Sequence, residues 1–267
     1  MSNRIVVSGD WHGASAWGSA VIQSAAREGI KTIYHVGDFG FMGRSGIWAV
    51  NEMAKACEEH DVRIEVTPGN HEDWAKLDEL FATDPGNPVP ITENGRIRML
   101  PRGYRWEHAG TSFMSLGGAP SIDRDMRVPY VEWWPTEAIT YGDATRAVEG
   151  GPVDIMITHD APTYFPGRVY DIIHKDAASS MAFWGVDVME YCLEGHKLLN
   201  AVYEAIFPRL LFHGHYHVWD HWKATDMDCQ IVALEMEGKK RNSVILDLDE
   251  FKDNLNYTIK PLGVYAE

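Results

Sequence analysis

Residues 5–13, Ile5-Val6-Val7-Ser8-Gly9-Asp10-Trp11-His12-Gly13, set a short apolar run directly against an Asp-x-His pair. Such a run reads as a buried strand that ends at Gly9. Beyond it, Asp10 and His12 stand two residues apart and can turn toward one point. The pattern recurs twice. Residues 32–36 form another apolar run closed by Gly37-Asp38-Phe39-Gly40, and residues 63–67 lead to Gly69-Asn70-His71-Glu72-Asp73. Between the three runs lie residues 16–28 and 47–60, which are free of proline and carry apolar residues at helical spacing. The alternation predicts a βαβαβ unit of an α/β fold. In such sheets ligands gather outside the carboxyl ends of the strands, so the three polar clusters are expected to share one crevice. Glycine beside each cluster permits tight turns and close backbone approach.

Further strands are expected at 112–116, 154–158 and 210–212. Toward the C-terminus, 230–235, 243–247 and 257–259 read as strands without intervening helices, so the sheet system should be mixed. Residues 83–90, rich in Pro, Gly, Asn and Asp, are expected to form a loop, and 162–180 a longer irregular region. No domain-separating linker, repeat or low-complexity tract interrupts the chain, which reads as one domain over residues 1–267.

Composition narrows the class. The 267 residues are 45% hydrophobic, enough for a substantial core, and no apolar stretch approaches membrane-spanning length. Met1-Ser2-Asn3-Arg4 leads straight into the first apolar run, leaving no room for a signal peptide, so a cytoplasmic location is expected. Cys57, Cys192 and Cys229 are far apart and odd in number, which indicates buried free thiols. The formal net charge of −15 repels polyanions and argues against extended nucleic acid as a partner. A small phosphate remains compatible, because bound divalent cations would invert the local field.

Two later segments add ligand types at strand ends: Ile157-Thr158-His159-Asp160, and Phe212-His213-Gly214-His215-Tyr216-His217. Singly, an Asp or Asn after a strand is a common turn former and a lone histidine is usually packed or solvated. Their recurrence at successive strand ends is what points to a metal site. A pool of Asp, Asn and His without cysteine suits Mn²⁺, Fe²⁺ or Zn²⁺.

In this order Asp10-x-His12, Gly37-Asp38, Gly69-Asn70-His71-Glu72, His159 and Gly214-His215-x-His217 resemble the calcineurin-like metallophosphoesterase family, over residues 5 to about 217. Leu116-Gly117-Gly118-Ala119-Pro120-Ser121-Ile122-Asp123-Arg124 is similar to a segment of its bacterial and phage members. The resemblance implies a four-layer α/β/β/α sandwich with two mixed β-sheets, in keeping with a helix-poor C-terminal third. It implies two divalent metal ions, Mn²⁺ first, with Fe²⁺, Zn²⁺ or Ni²⁺ as alternatives. Asp10, His12 and His217 would hold one ion and Asn70, His159 and His215 the other, with Asp38 bridging. His71 would be the catalytic histidine that contacts the phosphate or protonates the leaving oxygen. The expected activity is hydrolysis of a small phosphodiester such as a cyclic nucleotide. A phosphomonoesterase acting on nucleotides or other small phosphates comes second and a nuclease third. A metal-stabilised scaffold without turnover has no need of the full ligand set and His71.

One departure bears on substrate. Members related to protein serine/threonine phosphatases carry Gly-Asp-x-x-Asp-Arg-Gly, whereas this chain has Gly37-Asp38-Phe39-Gly40-Phe41-Met42-Gly43-Arg44, which argues against a protein phosphatase. Arg44 reads as a solvated surface charge, with a substrate phosphate as the alternative. Residues 213, 215 and 217 would share one face of a regular strand. Only two of them match the motif, so His213 is expected to pack or to support a ligand. His35 fits either duty. Trp11 fits a packed core ring or a stack on a nucleobase equally, and Trp74, Trp133 and Trp134 are expected to pack.

Overall fold

The computed structural model describes residues 3–175, 177–224, 228–254 and 257–264. Met1 and Ser2, read above as the start of the chain, lie outside the described residues. The βαβαβ unit is β1 (Arg4–Ser8), α1 (Ser15–Arg27), β2 (Thr32–His35), α2 (Gly43–Glu59) and β3 (Arg63–Val66). β1 and β2 pair in parallel with Val6 opposite Ile33, and β2 and β3 with Ile33 opposite Ile64. This register aligns the strands' alternate residues. Val6, Ile33 and Ile64 bury against Val21 and Ile22 of α1 and Val50 and Met53 of α2, while Ile5, Val7 and Tyr34 point into a second core.

The chain continues through α3 (Trp74–Thr83), β4 (Val89–Pro90), β5 (Ile97–Met99), β6 (Arg105–His108), β7 (Thr111–Leu116), α4 (Tyr141–Glu149) and β8 (Ile155–Thr158). Three helices follow, α5 (Arg168–His174), α6 (Ala177–Trp184) and α7 (Val186–Ile206). The remainder is β9 (Leu210–His213), β10 (Asp220–Lys223), β11 (Gln230–Ala233), β12 (Ser243–Asp247), α8 (Leu248–Asp253) and β13 (Ile259–Pro261). One sheet runs β13-β12-β1-β2-β3-β5-β4 and the other β10-β11-β9-β8-β7-β6. Both are mixed: β12 is antiparallel to β1, and β6 is antiparallel to β7, beside parallel pairs at their centres. Val7, Val36, Phe113, Ile157 and Phe212 fill the space between the sheets. Met114, Met156 and Leu211 face outward onto α4 and α7. The layers are therefore α/β/β/α, and the expected sandwich is the one observed.

Several local expectations fail. Residues 162–180 are not irregular, since α5 and the start of α6 lie there. Within α5 only Val169 is buried, so no apolar face was present to reveal the helix. The C-terminal third is not helix-poor, because α7 occupies 21 residues of it. Its buried positions include Cys192 and Gly195, small residues that blur the apolar period. α8 intervenes between β12 and β13, where no helix was expected. α2 starts at Gly43, so Arg44 is a helix residue and not part of the loop after Asp38. All three cysteines are buried free thiols. Among the described residues no helix is long and apolar enough to cross a membrane.

Candidate metal centre

Asp10 and His12 leave β1, Asp38 leaves β2, and Asn70 and His71 leave β3. His159 follows β8, and His215 and His217 follow β9. The first three strands are neighbours in one sheet and the last two in the other, so their C-terminal loops meet across the sandwich. Asp10, His12, Asp38 and His217 each offer a ligand atom within 4.8 Å of the others, and so do Asp38, His159 and His215. Asp38 belongs to both groups. Asn70 joins the second through Oδ1, 2.9 Å from His159 Nε2. All seven residues singled out as ligands are thus brought together. His71 stands beside them: its backbone N–H donates to Asp38 Oδ1 at 2.8 Å, and its ring centroid is 5.7 Å from that of His12.

The backbone is bent to achieve this. His12, Asp38, His215 and His217 all have positive φ, between 43° and 68°. A left-handed conformation in a non-glycine residue costs on the order of 1–3 kcal/mol, and such residues cluster at functional sites. Local bonds hold the bends in place. The Asp38 carbonyl accepts from the N–H of Trp11 at 3.0 Å and of His12 at 2.8 Å, which binds the first loop to the second. Glycine is required where loops touch carboxylates: a Cβ on Gly69 would collide with Asp38 Oδ1, and one on Gly214 with Asp10 Oδ1. Glu72 staples two loops by accepting from the N–H groups of Gly40 and Gly69.

The far side of several candidate ligands is held as well. His12 Nδ1 lies 2.9 Å from Glu237 Oε2, leaving Nε2 to face Asp38. His159 Nδ1 donates to the Val36 carbonyl at 2.9 Å, leaving Nε2 3.2 Å from Asp38 Oδ1. The Asn70 amide donates to Ser121 Oγ at 2.9 Å, which turns its carbonyl oxygen inward. Asp160, next to His159 in the chain, accepts from Tyr216 at 2.7 Å, sits 3.5 Å from His196 and acts by its charge on His215. Partners of this kind fix ring orientation and raise ligand basicity. Glu237, Ser121 and His196 were not identified from sequence.

The charge distribution fits divalent cations. Asp10 and Asp38 are buried, and among the described residues Asp10 Oδ1 has no hydrogen-bond partner. Burial pushes the His12 imidazole down, but the bond to Asp38 and its charge, with Glu237 and Asp10, outweigh this and hold its pKa up at about 9. Burial likewise opposes a proton on His159, and the charges of Asp38, Asp10 and Glu72 overcome it to give about 10. Burial alone would raise Asp38, yet the surrounding imidazoles hold it well below the carboxylate range. Burial depresses His215 to about 3, leaving the neutral ring that ligation needs. A nitrogen and oxygen pocket that draws protons onto imidazoles has the donor set that could exchange them for dications.

The uncertain residues now have places. Trp11 is fully buried, its indole N–H donating to Ser8 Oγ at 2.8 Å and Asn242 Oδ1 at 3.1 Å, so it packs and does not face a nucleobase. His35 is buried with its ring edge-on to Trp11 and Phe39. His213 is buried and belongs to neither ligand group. The chain leaves strand geometry after His213, so residues 213, 215 and 217 do not share a strand face. Arg44 is exposed on the first turn of α2. A different arginine reaches the site: Arg127 Nη2 lies 2.8 Å from His71 Nε2. No positional signal in the sequence pointed to it. Next to His12 and His71 opens a cavity of about 210 Å³, lined also by Gly40, Met42 and Ser45.

The sequence profile of the calcineurin-like phosphoesterase family matches residues 3–219. No curated protein sequence matches the chain. The fold is similar to that of TT1561 from Thermus thermophilus, with a TM-score of 0.54 and 13% identity over 98% of this chain and 100% of that one. It is also similar to that of a dimetal phosphatase from Danio rerio, with a TM-score of 0.54 and 10% identity over 92% of each chain.

Proposed function

The chain belongs to the calcineurin-like phosphoesterase family of hydrolases, and on that premise we propose that it hydrolyses small phosphate esters at the site built around Asp38. The observation that carries this reading is the position of Asp38 in both ligand groups. Asp10, His12 and His217 would hold one cation, Asn70, His159 and His215 the second, and Asp38 both. Mn²⁺ is the first choice because the donors are imidazole, carboxylate and amide oxygen. Bound there, two divalent cations neutralise charge developing on phosphoryl oxygens and acidify water. The chain's own residues do the rest. Asp38 fixes the spacing of the two halves, Glu237 and Val36 orient His12 and His159, and the buried surroundings keep bulk water from screening the charges. His71, which lines the cavity beside His12, would protonate a departing oxygen.

The substrate we favour is a compact phosphodiester such as a cyclic nucleotide. A formal net charge of −15 repels long polyanions, and the small cavity at His12 and His71 admits a compact group. The test is a screen of the Mn²⁺-loaded protein against a monoester, a linear diester, 2′,3′- and 3′,5′-cyclic nucleotides and single-stranded DNA. A cyclic or linear small diester should be turned over fastest. Faster cleavage of DNA, with steep salt dependence of binding, would replace this reading by a nuclease.

A further inference from the structure

Arg127 lies on the long connection between β7 and α4, in a segment that carries none of the ligands. Its Nη2 is 2.8 Å from His71 Nε2 and 2.9 Å from Asp123 Oδ2, and its side chain is only 11% exposed. Nη1, on the other arm of the fork, is buried and has no hydrogen-bond partner among the described residues. A guanidinium carries five N–H donors in one plane, and buried donors are nearly always answered. Here Asp123 and His71 answer Nη2, and nothing among the described residues answers Nη1.

Neighbouring arginines show the contrast. Arg102 donates to the carbonyls of Gly117, Thr136 and Glu137 and meets Asp143, so its fork is occupied. Arg124 lies over the Tyr191 ring at 4.5 Å. Arg127 alone of these three touches a residue of the candidate metal centre.

We propose that Arg127 is a phosphate clamp: Nη1 donates to a non-bridging oxygen of the substrate's phosphate while Asp123 steadies the guanidinium through Nη2. The inference rests on the phosphoesterase reading above. Its chemistry requires an arginine, because one edge of a rigid fork must hold a carboxylate while the other holds the phosphate. A lysine carries the charge without that geometry. The arginine expected at a substrate phosphate is thus Arg127, not Arg44.

The test measures binding of inorganic phosphate to the Mn²⁺-loaded protein by calorimetry, with metal content determined on the same samples. Arg127→Ala should keep its metals and weaken phosphate binding roughly 10- to 100-fold, the worth of a charge-assisted hydrogen bond. Arg127→Lys should recover little of the loss, and Asp123→Asn should show a smaller loss of the same kind. If Arg127→Ala does not fold, Arg127→Lys carries the test, and parent-like phosphate affinity in it overturns the clamp. Undiminished affinity in Arg127→Ala, or loss of metal from it, does the same and leaves the hydrolase reading intact. A parent chain that takes up no metal and binds no phosphate overturns both.

Discussion

His12 and Glu237 are 225 residues apart in the chain and 2.9 Å apart in the fold, Nδ1 to Oε2. The Glu237 backbone N–H also donates to the Asp10 carbonyl at 2.8 Å, so the loop after β11 clasps the first ligand loop twice. Glu237→Ala removes the carboxylate that orients His12. Metal affinity should fall roughly 10- to 100-fold, the usual effect of losing a supporting partner. A Mn²⁺ titration of the metal-stripped variant checks this, and parent-like affinity would exclude the role.

Asp38→Asn should lower occupancy at both metal positions, because a neutral amide cannot offset two adjacent dications as a carboxylate does. Hydrolysis should fall in parallel. Metal analysis beside the parent decides it: two ions per chain at undiminished affinity removes Asp38 from the bridging position.

Metal uptake should release protons. With His12 held up at about 9 and His159 at about 10, both rings carry protons at pH 7.5 in the metal-free chain. Ligation needs them neutral, so loading should expel roughly two protons per chain, and affinity should rise with pH. Calorimetry in buffers of different ionisation enthalpy counts them. The same shifts fix the pH dependence of metal-free stability. Both folded-state values lie above the ordinary 6.5, so the stabilisation is fully present below that pH and is lost as pH rises through about 9 to 10. A metal-free Tm that does not fall across this window would contradict the assignment.

The candidate centre was legible because the residues that would hold metal are also punctuation. Asp10, Asp38, Asn70, His159 and His215 each sit just past an apolar run, where a change in sequence pattern marks a change in backbone. Their supporting partners carry no such mark. Glu237 lies in a polar stretch after β11, and only the sandwich brings it to His12. Arg127 is one of two arginines in a loop whose path follows from packing against α7, where Gly195 meets Pro120. The positive φ values of His12, Asp38, His215 and His217 were invisible for a related reason: loop contacts impose them against local preference. The four layers could be anticipated from strand order and the family likeness, whereas α5 buries only Val169 and α8, which buries Leu248 and Phe251, is six residues long, too short to show a period.

His71→Ala should keep its metals and lose roughly 10²- to 10⁴-fold in rate on an alkyl or ribose ester, with a distinctly smaller loss on an activated aryl ester. A poor leaving group needs the proton and p-nitrophenolate does not. Burial holds the His71 pKa below its ordinary value, and Arg127 adds to this against the pull of Asp38. An incoming phosphate brings negative charge that favours the protonated ring. Equal losses on the two substrates would show that His71 only shapes the loop.

Trp11→Ala should destabilise the protein by about 3–5 kcal/mol, as expected for emptying a fully buried indole site. The loss includes its hydrogen bonds to Ser8 and Asn242. Denaturant unfolding of the metal-free variant measures it. A change confined to KM, with stability intact, would restore the stacking role that burial argues against.

If two cations share Asp38, hydrolysis should depend on both. The most direct test adds Mn²⁺ stepwise to the stripped protein and follows bound metal, the electron paramagnetic resonance spectrum and hydrolysis of bis(p-nitrophenyl) phosphate together. Two ions per chain, a spin-coupled pair signal that Asp38→Asn abolishes, and activity that rises with the second equivalent are expected. A single bound ion at saturation, or full hydrolysis by the stripped protein, would rule out the shared site.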